Sequence, residues 1–284
     1  MTTYKEIKGT QIEVVSSDPS NPVEGQVWYN STDQAVKGQA TTSVGAWATG
    51  NNMNDARHTL GGAGTTTAAL AAGGRTPGNN RVKAETWNGT SWTSQGNMNN
   101  GKYGGGASGT VTAGLAFGGE PPGGGGADRD HTETFNGTNW TEVNDLNTGR
   151  ASGAMAGADS TAAIYIGSGS PGAFTESWNG TNWTEVNDLN TARSSMGAGG
   201  PYTSAIAMGG SPVPGGKGAL TETWNGTNWT EDGDLSTGRD GGGGSGISNS
   251  SGLYFGGRNE PTVYASTEEF TGAGAAVTRT FTDS

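Results

Sequence analysis

The chain has 284 residues, 54 of them glycine, with only 30% hydrophobic and 14% charged residues and a formal net charge of −11. The acidic balance argues against a nucleic-acid partner, whose phosphates demand a basic surface. The absence of cysteine excludes disulfides and thiolate metal centres, and no apolar run approaches the roughly 18 residues of a membrane span. Nine Trp, seven Tyr and six Phe separate the chain from low-complexity sequences of similar glycine content, because each buried ring removes a large area from water. No apolar run follows Met1, so no secretory leader is expected.

Residues 1–42 stand apart from the repetitive remainder and form the first expected unit, with 43–284 as the second. They carry VVSSDPSNPVEGQVWYNSTDQAVKG at 14–38. Prolines followed by a Trp-Tyr-Asn phrase read as an extended arm with a short strand, or as a hairpin docked on the body.

From residue 43 the sequence repeats. The Trp residues 47, 92, 140, 183 and 229 recur at steps of 45, 48, 43 and 46 residues. Each is followed by a polar run and a basic residue: Arg57, Lys102, Arg150, Arg193 and Arg239. Next comes a tract of tiny residues, such as GGAG or SSMGAGG, and then a short apolar run closed by glycines, such as AALAAGG, GLAFGG or GLYFGG. A loop of variable length leads to a Glu-x-aromatic step, at Trp87, Phe135, Trp178, Trp224 and Phe270. In four copies this step runs on into the second Trp: ETWNGTSWTS, ETFNGTNWTE, ESWNGTNWTE and ETWNGTNWTE.

Each unit therefore reads as four short strands. No segment has the 3.6-residue apolar period of an amphipathic helix. The Asn-Gly pair supplies the positive φ of a tight hairpin connection. A period of about 40–50 residues with four strands predicts a β-propeller, with tiny residues where the inner strands converge on the axis. The paired aromatics, with Trp47 and Phe270 at the ends, form the repeated core. GAWATG at 45–50 lacks its hairpin partner and STEEFTG at 266–272 lacks a following Trp strand. These are expected to pair into one blade, closing five blades into a ring. The tail AAVTRTFTDS is expected to add an outer strand there.

The basic residues match Glu85, Glu133, Glu176, Glu222 and Glu268 one to one, which predicts structural ion pairs within or between blades. The EVNDL and EDGDL phrases, with carboxylates in turns, are oxygen ligands suited to Ca²⁺; the simpler reading is a set of Asn- and Asp-capped turns. The Asn-x-Thr sequons read as hairpin chemistry. The variable loops are expected to gather on one face, opposite the uniform Asn-Gly hairpins, as in a scaffold with a recognition surface. Arg75, Arg81, Arg129, His131, Lys217, Arg258 and Tyr264 are the candidate binding residues there, since cations and aromatics bind sugars and acidic surfaces.

An apolar run ending in Gly-Gly, a variable loop, an aromatic, a spaced Trp and a basic residue resemble the kelch repeat, most closely in GLYFGG and TESWNGTNWTEVNDLNTAR. The copies depart from it at Lys102 and at the Gly-Ser-Gly of the third unit. NPVEGQVWYNSTDQAVKG and the glycine-rich ETWNGTNWT units are similar to segments of bacteriophage virion proteins, especially tail and fibre proteins of marine phages. The resemblance implies a non-enzymatic structural protein located in the virion, in a tail fibre, baseplate or other appendage. It implies attachment to other virion proteins through residues 1–38, a propeller that binds host-surface glycans, and a homo-oligomeric arrangement. A non-viral five-bladed lectin and, more remotely, a glycosidase are the alternatives.

No catalytic constellation is legible. The copper chemistry of kelch-type galactose oxidases needs a cysteine and histidines in set positions, and the two histidines here, His58 and His131, fall in unrelated ones. The tiny-residue tracts hold only isolated acids, Asp159 and Asp240, where five-bladed glycosidases place paired carboxylates. No cofactor and no metal is expected.

Overall fold

In the computed structural model the described residues form strands and connecting turns, with no helix among them. The structure describes residues 13–19, 27–32, 34–38, 51–78, 81–121, 130–167, 172–212 and 218–272. The chain divides into two compact units, Met1–Thr49 and Gly50–Ser284.

In the first unit, strand Glu13–Val15 runs parallel to Val27–Asn30, which pairs antiparallel with Ala35–Gly38. Buried Trp28 donates from Nε1 to Asp18 Oδ1 at 2.9 Å, and buried Asn30 donates from Nδ2 to the same oxygen at 2.8 Å. One carboxylate thus satisfies two buried side chains, as burial requires, and ties the Asp-Pro turn to the Trp-Tyr-Asn strand. The segment is a three-stranded sheet rather than a lone strand or hairpin.

The second unit is a five-bladed β-propeller. Blade 1 comprises Gly61–Thr65, Ala68–Ala72, Ala84–Trp87 and Trp92–Ser94, ordered from the axis outward. Blade 2 comprises Gly106–Gly109, Gly114–Phe117, Thr132–Phe135 and Trp140–Val143. Blade 3 comprises Ala154–Asp159, Ala162–Ile166, Thr175–Trp178 and Trp183–Val186. Blade 4 comprises Gly197–Gly199, Ile206–Met208, Thr221–Trp224 and Trp229–Asp232. Blade 5 comprises Gly243–Ser248, Ser251–Phe255 and Thr267–Thr271. All these neighbours pair antiparallel. The strand expected at 45–50, with Trp47, and the strand expected in the tail lie outside the described residues.

The tiny residues sit where backbones meet. Inner strands of blades 4 and 5 approach so closely that a Cβ on Gly197 would lie 2.9 Å from Gly244 Cα. The glycine doublets have a second reason. Gly118 turns the chain at φ +64°, and a Cβ there would meet the Arg150 carbonyl at 2.7 Å, so only glycine fits.

The outer Trp of blades 2, 3 and 4 packs back onto the preceding blade. Trp140 lies with Leu70, Ala72 and Ala84 of blade 1, and Trp183 lies with Leu115 and Phe117 of blade 2. Trp229 lies with Ile164 and Ile166 of blade 3. Trp183 meets Phe117 edge-on at 4.8 Å and donates from Nε1 to Thr132 Oγ1 at 2.9 Å. Within a blade the paired aromatics tilt against each other, as Trp178 and Trp183 do at 5.4 Å. The core is therefore a set of blade-to-blade seams, and this is how a chain so poor in apolar residues orders itself.

The glycine of each Asn-Gly pair supplies the positive φ expected of the hairpin. Trp87 pairs with Trp92 across a four-residue loop in which Gly89 alone takes positive φ, +91°. Asn88 acts through its side chain, Oδ1 accepting from Thr90 N and Ser91 N at 2.9 Å each. Asn136, Asn179 and Asn225 repeat this pattern, which accounts for the sequons without any glycan.

The predicted ion pairs form, and they clamp each crossover between blades. Arg193 Nη2 lies 3.0 Å from Glu222 Oε1, with both side chains fully buried. The corresponding pairs are Arg57–Glu85 at 3.3 Å, Lys102–Glu133 at 3.7 Å, Arg150–Glu176, and Arg239–Glu268 at 2.6 Å. Sequence missed the third member. Asn190 donates to Glu222 Oε2 from its backbone N at 2.7 Å and from Nδ2 at 2.9 Å, and Nδ2 also reaches the Trp229 carbonyl. Asn54, Asn99 and Asn147 do the same toward Glu85, Glu133 and Glu176. One carboxylate from each third strand thus collects the crossover arriving from the previous blade.

Burial pushes the Lys102 ammonium down to about 8 from 10.5, against the attraction of Glu133 and Asp145. The unfolded chain keeps this proton up to about 10.5 while the folded chain releases it near 8. In that window the unfolded state binds more protons, so stability contributed by this group rises with pH. Lys102→Arg, which restores the residue of the other four repeats, should stabilise the protein at pH 7.5 and lose about 2 kcal/mol of that advantage by pH 9.5. Urea unfolding of both proteins at the two pH values measures the difference.

Candidate functional site

The antiparallel order sends two kinds of connection to one end of the propeller: the loops between second and third strands, and the crossovers between blades. The Asn-Gly hairpins lie at the opposite end. The loop end is organised by the residues that follow each clamp. His58 and Arg75 exchange backbone hydrogen bonds at 3.2 and 2.9 Å, and Tyr103 with Glu120 and Asp240 with Arg258 form the same bridge. Two positions beyond each basic residue, Thr59, Gly104, Ser152, Ser195 and Gly241 all take positive φ, between 54° and 66°. Gly104 N donates to Thr59 O, Ser152 N to Gly104 O, Ser195 N to Ser152 O and Gly241 N to Ser195 O, at 2.8–3.0 Å. These links join five left-handed residues into a chain around the axis. The strain at Thr59, a β-branched residue at φ 55°, is held by this pairing.

The axial channel has a volume of about 540 Å³ and is lined by the inner strands of all five blades, among them Gly62, Ala107, Met155, Met196 and Gly244. Among the described residues its lining includes no acidic, basic or imidazole group. Asp159 instead caps a turn, accepting from Thr161 N at 2.8 Å, and Asp240 accepts from Ser211 Oγ at 2.7 Å. A second space of about 380 Å³ opens on the loop end of blade 1 between Ala56, Arg57, His58, Arg75, Thr76 and Pro77. It places cationic and hydroxyl groups around a concave surface, a setting for an acidic or hydroxyl-rich ligand.

The candidate binding residues are distributed among the blades. Arg75 is exposed at the blade 1 cleft. Arg81 is buried, its guanidinium stacked 4.0 Å over the Tyr103 ring and bonded to the Pro121 carbonyl. It is thereby removed from the loop surface on which the sequence placed it, because a stacked, desolvated guanidinium packs as part of the wall. His131 is half-buried beside Asp130 in blade 2. Arg258 is exposed and paired with Glu260 at 3.0 Å and Asp240 at 3.5 Å. Tyr264 is half-buried and faces the Arg239 guanidinium at 5.8 Å. Arg129 and Lys217 lie outside the described residues. His58, which the sequence reading left aside, joins Arg75; its place directly after a clamp residue is the signal that locates it.

The acidic phrases resolve into separate structural tasks. Asp145, Asp188 and Asp234 each accept from the first backbone N–H of the third strand, at Thr132, Thr175 and Thr221, over 3.0–3.3 Å. Asn144 and Asn187 reach the hairpin of the next blade, at Thr181 O and Thr227 O, both at 3.0 Å. Leu146 and Leu189 enter the seams.

No protein-family model matches the chain, and no curated protein matches it. Among solved structures, that of YjhT superposes with a TM-score of 0.64 at 16% sequence identity, covering 78% of this chain and 83% of that one. At this identity the likeness is one of fold.

Proposed function

We propose that this chain is a non-enzymatic structural protein of a bacteriophage virion, a tail-fibre or other appendage component, whose loop end binds host-surface glycans. The observation that carries the recognition role is the contrast between the two ends of the propeller. The hairpin end repeats one loop chemistry, Asn-Gly-Thr, blade after blade. The loop end, built on the same clamps, changes length and residues in every blade. A scaffold that holds constant geometry beneath variable loops is suited to recognition. The channel lining of glycine, alanine, serine and methionine supports a role without catalysis. The kelch-like and virion-like character rests on the sequence resemblances, with residues 1–38 as the attachment arm. Five equivalent lectin pockets are disfavoured, because the groups at the loop end differ between blades: His58 and Arg75 in one, Asp130 and His131 in another.

Mass spectrometry of purified phage particles, with the intact chain as standard, tests the virion role. Recovery at a fixed copy number per particle is expected, and absence from particles overturns it. A bacterial glycan array probed with the purified chain tests recognition. Binding without release of reducing sugar is expected; hydrolysis of the bound glycan overturns the non-enzymatic reading.

A further inference from the structure

Just before its third strand blade 2 departs from the repeat, and the departure assembles metal ligands. Asp145 caps Thr132, as Asp188 and Asp234 cap Thr175 and Thr221 in blades 3 and 4. The two residues before the capped Thr are Ala173-Phe174 in blade 3 and Ala219-Leu220 in blade 4, whereas blade 2 has Asp130-His131. Ligand atoms of Asp130, His131 and Asp145 all lie within 4.8 Å of one another. His131 Nδ1 lies 3.4 Å from Asp130 Oδ1. That nitrogen is shielded from solvent and makes no hydrogen bond among the described residues, so the Asp130 carboxylate is its ion-pair contact.

We propose that Asp130, His131 and Asp145 form a binding site for one divalent transition-metal ion, Zn²⁺ in the first instance, at the loop end of blade 2. The donor set decides the class of ion. One imidazole nitrogen with two carboxylates suits Zn²⁺ and its neighbours, whereas Ca²⁺ takes oxygen ligands throughout. Zn²⁺ bonds of about 2.1 Å place tetrahedral ligands about 3.4 Å apart. The 3.4 Å between His131 Nδ1 and Asp130 Oδ1 already matches that spacing.

The backbone beneath is already fixed. Leu146 N donates to Asp130 O at 3.0 Å, and His131 O accepts from Gly118 N at 3.2 Å and Lys102 Nζ at 3.0 Å. Lys102 is itself paired with Glu133, which offsets its charge near the site. Three protein ligands leave at least one position for water or for an oxygen of a bound molecule. The site is independent of the glycan-binding proposal.

Isothermal titration of the tag-free full chain with Zn²⁺ should show one site per chain, and Co²⁺ should give visible d–d absorption of the same stoichiometry. His131→Gln and Asp130→Asn should each weaken Zn²⁺ at least ten-fold while leaving the far-ultraviolet dichroism unchanged. Asp188→Asn, the counterpart with only the capping role, should bind Zn²⁺ as the wild type does. Absence of a stoichiometric site in the wild type, or equal affinity in wild type and His131→Gln, overturns the assignment.

Discussion

Glu222→Gln should lower the unfolding free energy by about 3–5 kcal/mol, because it strands a buried guanidinium. Glu222 receives Arg193, the backbone and side chain of Asn190, and the Thr191 backbone, and it is wholly shielded from solvent. A glutamine keeps the shape but can offer only one carbonyl oxygen where two carboxylate oxygens accept. The exposed Glu269, one residue beyond the clamp acid of blade 5, provides the comparison. Its change to Gln should stay within about 0.5 kcal/mol. Urea midpoints followed by tryptophan fluorescence measure both.

Trp183→Ala should cost a similar amount, about 3–5 kcal/mol. The indole joins blade 3 to Leu115 and Phe117 of blade 2, and its N–H satisfies Thr132. Its removal leaves a cavity in the seam and takes away the donor that the buried Thr132 hydroxyl accepts from. Trp183→Phe should recover most of the packing but not the hydrogen bond, and so should fall between the wild type and the alanine variant. If Trp183→Ala instead unfolded at the wild-type midpoint, the seams would not be the source of order in this chain.

The periodic elements were legible because each has a local cause. The Trp spacing, the glycine doublets and the matched acids and bases repeat at intervals that only a propeller accommodates. Each sequence-derived ion pair that the structure describes forms with its expected partner, Arg57 with Glu85 through Arg239 with Glu268. Asn190 and its equivalents were missed because asparagine in a polar run looks like an ordinary turn residue. Its two-way grip on Glu222 and the Trp229 carbonyl needs the third dimension. The left-handed chain through Thr59, Ser152 and Ser195 was missed for a related reason: only two of its five members, Gly104 and Gly241, are glycine.

The loop end was legible as a location and less so in its members. Arg81 looked like a free surface cation because nothing local records that Tyr103, from the next crossover, stacks against it. His131 was named among the loop-end binding candidates, with nothing in the sequence to join it to Asp145. Its significance comes from Asp145, fourteen positions on in the sequence and brought alongside by the pairing of third and fourth strands.

The most direct test of the clamp is a double-mutant cycle on Arg193 and Glu222, with Arg193→Met and Glu222→Gln alone and together, by urea unfolding. If the carboxylate and guanidinium hold the crossover as a unit, the double variant should be more stable than the sum of the single losses predicts, with a coupling above about 2 kcal/mol. Additive losses, with a coupling within about 0.5 kcal/mol of zero, would contradict it.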